Sequence, residues 1–182
     1  MADDTDHALV RRSLKGDNMA FAALVDRYQN PLFNTALRMT GDREDARDLT
    51  QSALVKAYDK LPSFNFRYKF FSWVYRILVN EAIDWKSSRK RLTRADVDCF
   101  ESEDNPELAF ERYRQSKAIE AALTKLNFDQ RLVVVLFYFN DMAYREISEI
   151  VGIAEGKVKS RLHSARQRLA ELLIAEGVRS HA

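Results

Sequence analysis

The chain has 182 residues, 46% apolar and 31% charged, a globular balance that excludes a disordered polyelectrolyte and allows one large domain or two small ones. Three prolines and five glycines exclude collagen-like and Pro-rich classes and favour long helices over a many-turned β architecture. The net charge of +2 conceals a segregation: residues 61–95 hold 8 basic and 2 acidic groups, residues 96–111 hold 0 and 7, and residues 112–182 hold 12 and 8.

One cysteine, Cys99, excludes an intramolecular disulfide framework. His7, His163 and His181 lie far apart with no partner at ligand spacing, so no metal site and no cofactor is expected. The longest apolar run, residues 132–139, has eight residues, whereas a membrane span needs about 20. Asp3, Asp4 and Asp6 stand where a secretory leader would carry positive charge. A soluble, cytoplasmic protein without membrane insertion is expected.

In the first lobe Met19, Phe21, Leu24, Val25, Tyr28 and Leu32 recur at three- and four-residue spacing, the signature of one helical face. Asp17 or Asn18 can cap it, and Pro31 predicts a kink or break near Asn30. Thr40-Gly41-Asp42 marks a turn, with Asp42 as the next cap. Ala46, Leu49, Ala53, Leu54, Ala57 and Tyr58 form the following apolar stripe, with Asp45, Asp48 and Gln51 on the other side. Leu61-Pro62-Ser63 ends that helix.

Residues 64–85 hold eight aromatics: Phe64, Phe66, Tyr68, Phe70, Phe71, Trp73, Tyr75 and Trp85. Some, Phe70 and Trp73 foremost, fill the core, but a small lobe does not easily bury all eight. A basic tail follows: Lys86, Arg89, Lys90, Arg91 and Arg94. Rings beside cations suit single-stranded nucleic acid, which offers bases to stack and phosphates to neutralise. The acidic block around Pro106 then reads as a flexible, self-repelling linker over residues 95–112. It divides a domain at 1–94 from one at 113–182.

In the second lobe Ile119, Ala122, Leu123 and Leu126 form a short amphipathic helix, and Asp129 can cap the next. The run 132–139 has β propensity, but no partner strand is in view and a buried helix is expected. Tyr144, Ile147, Ile150 and Val151, a turn at Gly152-Ile153, and a longer helix through Val158, Leu162, Ala165, Leu169, Leu172 and Leu173 make a helix-turn-helix. The second helix exposes Lys157, Lys159, Ser160, Arg161, His163, Ser164, Arg166 and Arg168, with no acid from Lys157 to Arg168. Such a helix enters the major groove, where Arg, Lys and Ser reach base edges and phosphates. The overall expectation is an all-α chain of two small helical domains joined by an acidic linker.

Three motifs in order carry a resemblance: Asp42-Arg43-Glu44-Asp45-Ala46-Arg47-Asp48-Leu49-Thr50-Gln51, then residues 70–84 from Phe70-Phe71-Ser72-Trp73 to Asp84, then Tyr144-Arg145-Glu146-Ile147 through Ile153 with Val158-Lys159-Ser160-Arg161-Leu162. The chain resembles an extracytoplasmic-function sigma factor over nearly all of residues 7–175. The resemblance implies a region-2 domain and a region-4 domain, with core RNA polymerase (β′ coiled coil and β flap), promoter DNA and an anti-sigma factor as partners. Asp45, Asp48, Leu49 and Gln51 would dock on the polymerase. Phe66, Arg67, Tyr68 and Lys69 in the loop, Arg76, Asn80 and Asp84 on the helix, and Lys86, Arg89 and Arg91 after it would melt the −10 element and hold its single strand. Lys157, Lys159, Ser160, Arg161, Ser164 and Arg166 would read the −35 duplex. Two alternatives differ in class. A dimeric helix-turn-helix regulator working without polymerase would need a palindromic site. A nucleic-acid enzyme would need a carboxylate cluster or an activated nucleophile, and neither pattern is present, so no catalytic residue is expected.

Overall fold

The computed structural model describes the backbone of residues 2–89 and 116–175 and the side chains of residues 5–88 and 116–175. The acidic linker and Arg91 lie outside the described residues, as does the side chain of Arg89. The described residues are helical and contain no strand. The first lobe comprises α1 (Ala2–Ser13), α2 (Asn18–Thr40), α3 (Arg43–Lys60), a 3₁₀ turn at Leu61–Ser63, and α4 (Phe70–Arg89). The second comprises α5 (residues 116–124), α6 (Phe128–Val134) continuing as a π-helical turn at Val135–Phe139, α7 (Tyr144–Val151) and α8 (Glu155–Ala175).

Local chemistry sets the helix ends. The Asp17 carboxylate accepts from the backbone N–H of Met19 and Ala20 at 3.1 and 3.2 Å, and Asp42 accepts from Glu44 and Asp45 at 2.9 Å. Each satisfies two otherwise orphaned donors. Gly41 ends α2 in the left-handed region at φ 74°, a conformation glycine adopts without a Cβ penalty.

Of the expected kink or break at Pro31, the break does not occur: α2 runs through it as one helix. Proline costs a helix interior about 3 kcal/mol, yet Tyr28, Leu32 and Ala36 on both sides of it are buried. Burying each of the larger side chains returns about 1.5–3 kcal/mol, so tertiary packing holds the helix together. Met19, expected on the apolar face, is 75% exposed: the buried stripe runs through Ala20, Leu24, Tyr28 and Leu32 at four-residue spacing, and Met19 lies off it.

The aromatic segment resolves differently from its expected surplus. Phe64, Phe70 and Tyr75 are buried, and Phe66, Phe71, Trp73 and Trp85 are packed against the core. Phe64 makes edge contacts with Phe66, Phe70 and Trp73 at centroid distances of 5.1–5.8 Å, arrangements that suit the ring quadrupole. Among the eight, Tyr68 alone is exposed, at 57%.

In the second lobe the apolar run is helical, with Leu132 to Leu136 buried. Asn127, not Asp129, caps α6: its side-chain oxygen accepts from the N–H of Gln130 at 2.9 Å. Gly152, at φ 72°, ends α7, and Val158, Leu162 and Ala165 bury one face of α8 against α6 and α7. The two lobes pack together, α4 on α7 and α2 on α6 and the π turn. The Asn140 side chain sits between them. Its oxygen accepts from the Tyr75 hydroxyl at 2.9 Å and lies 3.0 Å from the Thr35 hydroxyl, while its NH₂ donates to the carbonyl of Val135.

Candidate nucleic-acid interface

The loop between the 3₁₀ turn and α4 folds on itself. The Asn65 carboxamide accepts from the N–H of Arg67, and the N–H of Tyr68 donates to the carbonyl of Asn65, both at 3.0 Å. Phe66, expected as a stacking ring, is packed inward between His7 and Phe64, with the Arg11 guanidinium 4.9 Å from its centroid. It is partly buried against the core, with Arg11 over the ring. Arg67, Tyr68 and Lys69 are exposed. Arg76, Asn80 and Asp84 are exposed at four-residue spacing along α4, which places them on one stripe. Tyr68, Trp73 and Arg76 line a cleft of about 620 Å³ whose other wall is α7, with Arg145, Glu146 and Glu149.

On α3, Asp48 and Gln51 are exposed and Asp45 half-buried. Leu49 is 7% exposed and belongs to the core. It packs the helix and presents no docking surface, because the period of 3.6 turns position 49 inward with Ala46 and Ala53. Gln51 shares a shallow groove between α2 and α3 with Phe33, Leu54 and Val55.

On α8 the expected reading residues divide. Lys157, Ser160 and Ser164 face solvent. Arg161 borders the buried stripe, with a side chain 22% exposed that donates to Asp129 at 3.1 Å. Lys159 and Arg166 border it on the opposite flank. Lys159 pairs with Glu155 at 2.9 Å, which holds its ammonium above the usual lysine range. The Arg166 Nε–H donates to the Tyr138 hydroxyl at 2.6 Å. These two cations therefore lie about 140–180° around the helix from Lys157 and Ser164, at about 100° per residue.

Lys86, expected at the strand, is turned toward the second lobe. It donates to Asp129 at 2.8 Å and lies 4.8 Å from the Phe128 ring centroid. One carboxylate thus receives a cation from each expected DNA surface. The Lys86 hydrogen bond holds the Asp129 carboxyl below the usual carboxylate range against partial burial, with Arg161 adding to it. Sequence spacing gave no sign of this bridge, because its three members come from α4, α6 and α8. Among the described residues no cluster of His, Cys, Asp or Glu could hold a metal ion, and no helix is long and apolar enough to cross a membrane.

The family model for sigma-70 region 2 matches residues 24–92, and that for sigma-70 region 4 matches residues 116–169. The chain is 32% identical over 176 residues to the ECF RNA polymerase sigma factor SigW of Bacillus subtilis, covering 90% of this chain and 94% of the relative. It is 32% identical over 177 residues to the ECF RNA polymerase sigma-E factor of Escherichia coli K12, covering 91% and 92%. Among solved structures, the sigma factor RpoE in complex with the anti-sigma factor NepR from Bartonella quintana superposes with a TM-score of 0.72 at 27% identity, over 84% of this chain and 96% of that one. CnrH in complex with the cytosolic domain of CnrY gives 0.69 at 26% identity, over 94% and 98%. Two regions of one initiation factor in order disfavour a helix-turn-helix regulator that works without polymerase. With the region-2 match running from within α2 through α4 and the region-4 match running from α5 into α8, the chain belongs to the extracytoplasmic-function sigma factors, which direct RNA polymerase in promoter recognition and transcription initiation.

Proposed function

We propose that the first lobe holds the melted −10 strand on Tyr68 with Arg67, Lys69, Arg76, Asn80 and Asp84, while α8 reads the −35 duplex through Lys157, Ser160 and Ser164. Arg161 joins that surface once it leaves Asp129. The observation that carries this reading is the exposure of Tyr68 beside three cations while its neighbouring rings are packed away. Stacking a base returns about 1–3 kcal/mol, the same order as the cost of unstacking one, so a single ring with cationic support suffices to bias an open strand. Asp45, Asp48 and Gln51 dock α3 on the polymerase β′ coiled coil, and the second lobe meets the β flap. The protein does no chemistry itself and works in the cytoplasm. Residues 1–94 and 113–182 form the two domains, with residues 95–112 linking them. An anti-sigma factor is its inhibitor, by likeness to the complexes of RpoE with NepR and of CnrH with CnrY.

Transcription in vitro with core polymerase and a random promoter library tests this and yields a promoter. On that promoter Tyr68→Ala is expected to weaken open-complex formation about 5- to 150-fold, the loss of one stacked base, with core binding unchanged. Unaltered open complexes would show that Tyr68 does not hold the strand.

A further inference from the structure

α1 lies outside the region-2 match, which begins at residue 24, yet it reaches the strand loop. The His7 Nε2–H donates to the Tyr68 carbonyl at 3.0 Å, across 61 positions of sequence. The same imidazole meets the rings of Phe64 and Phe66 edge-on, with centroids at 5.7 and 5.4 Å. Arg11, one turn further along α1, covers Phe66. α1 is itself anchored: the Asp6 carboxylate, 1% exposed, accepts from Tyr28 and Arg27 of α2. The chain of contacts thus runs from the core through Asp6 and His7 to the backbone of the one exposed ring in the segment.

The turn keeps its own hydrogen bonds at Asn65, so His7 is not required to form it. What His7 adds is the attitude of that turn relative to α4, and with it the direction of the Tyr68 ring toward the cleft shared with Trp73 and Arg76. A ring already aimed loses less freedom when a base arrives. We propose that His7 is a positioning residue for the −10 strand, acting through its hydrogen bond to the Tyr68 carbonyl. The inference rests on the assignment of Tyr68 to the strand.

Two substitutions separate the bond from the packing. His7→Phe keeps a ring against Phe64 and Phe66 but removes the donor. His7→Gln keeps an N–H at similar reach but removes the ring. The assay is binding of reconstituted holoenzyme to a labelled fork-junction DNA carrying the non-template strand of the selected promoter. Thermal unfolding and core affinity are measured in parallel. His7→Phe is expected to bind about 3- to 10-fold more weakly, the worth of one hydrogen bond, with unchanged salt dependence because no phosphate contact is lost. His7→Gln is expected to stay near wild type. Wild-type binding by His7→Phe, equal losses by both variants, or a reduced salt slope would each overturn the proposal. Tyr68→Ala separates the two claims. If it binds normally, the strand assignment falls and this inference with it; if it binds weakly while His7→Phe does not, only the positioning role falls.

Discussion

Phe66 and Tyr68 stand two positions apart on one turn and meet opposite fates. The first is enclosed by His7, Phe64 and Arg11, and the second is open to solvent. Both were legible as ring-bearing candidates; α1, some 60 residues earlier, packs against the first and hydrogen-bonds the backbone of the second. Glu81 shows a comparable balance of forces. Burial alone would raise its carboxyl, but hydrogen bonds from Lys56 and Ser52 outweigh that, and it lies below the usual carboxylate range. A carboxyl lowered on folding stabilises the fold above its ordinary value and loses that contribution as pH falls through the lowered one. Glu81→Gln is therefore expected to cost about 1 kcal/mol at neutral pH, and the difference should vanish in acid. Denaturant midpoints taken from neutral to acid pH check this; a constant offset would assign the cost to packing.

At the scale of elements, the caps and the helix-turn-helix were written locally. Asp17, Asp42, Gly41 and Gly152 sit at the helix ends their chemistry favours. Gly152 allows a clean test, because a Cβ built there meets no atom within 4 Å. Gly152→Ala is thus expected to cost only the left-handed backbone penalty, about 1–2 kcal/mol, read as a lower unfolding midpoint with the exposed face of α8 intact. α2 continues through Pro31 without the break that local reading allowed. Pro31 removes one helical hydrogen bond whatever its surroundings, but the buried faces on both sides of it outweigh that loss. The exchange of Asp129 for Asn127 as the cap of α6 has a similar origin: both are cap-forming residues, and Asp129 is engaged by Lys86 and Arg161.

Across the molecule, the lobes share one apolar core and meet through polar contacts, one of which takes up Lys86 and Arg161, two cations proposed to meet DNA. Asp129 engages Lys86 and Arg161, Asn140 engages Tyr75 and lies beside Thr35, and Arg38 pairs with Glu120 at 3.1 Å. The Asp129 pairs are partly exposed, and such ion pairs are worth little each. Asp129→Asn removes the shared charge. It is expected to enlarge the radius of gyration of the free chain in solution scattering and to strengthen its binding to −35 duplex about 2- to 5-fold. An unchanged radius with unchanged duplex affinity would show that Asp129 holds neither cation back.

Helix, turn and charge segregation depend on neighbours within a few positions, so composition and periodicity sufficed for the all-α class, the helix-turn-helix and the cationic side of α8. The fate of individual rings and cations depended on partners far away in sequence. Phe66 is packed against His7 while Tyr68 beside it is open, Leu49 is inward because α3 packs on α2 and α4, and Arg161 is turned aside because Asp129 arrives from α6. Burial and charge pairing are properties of the assembled surface, and a single chain direction does not encode which of several equivalent side chains that surface will cover.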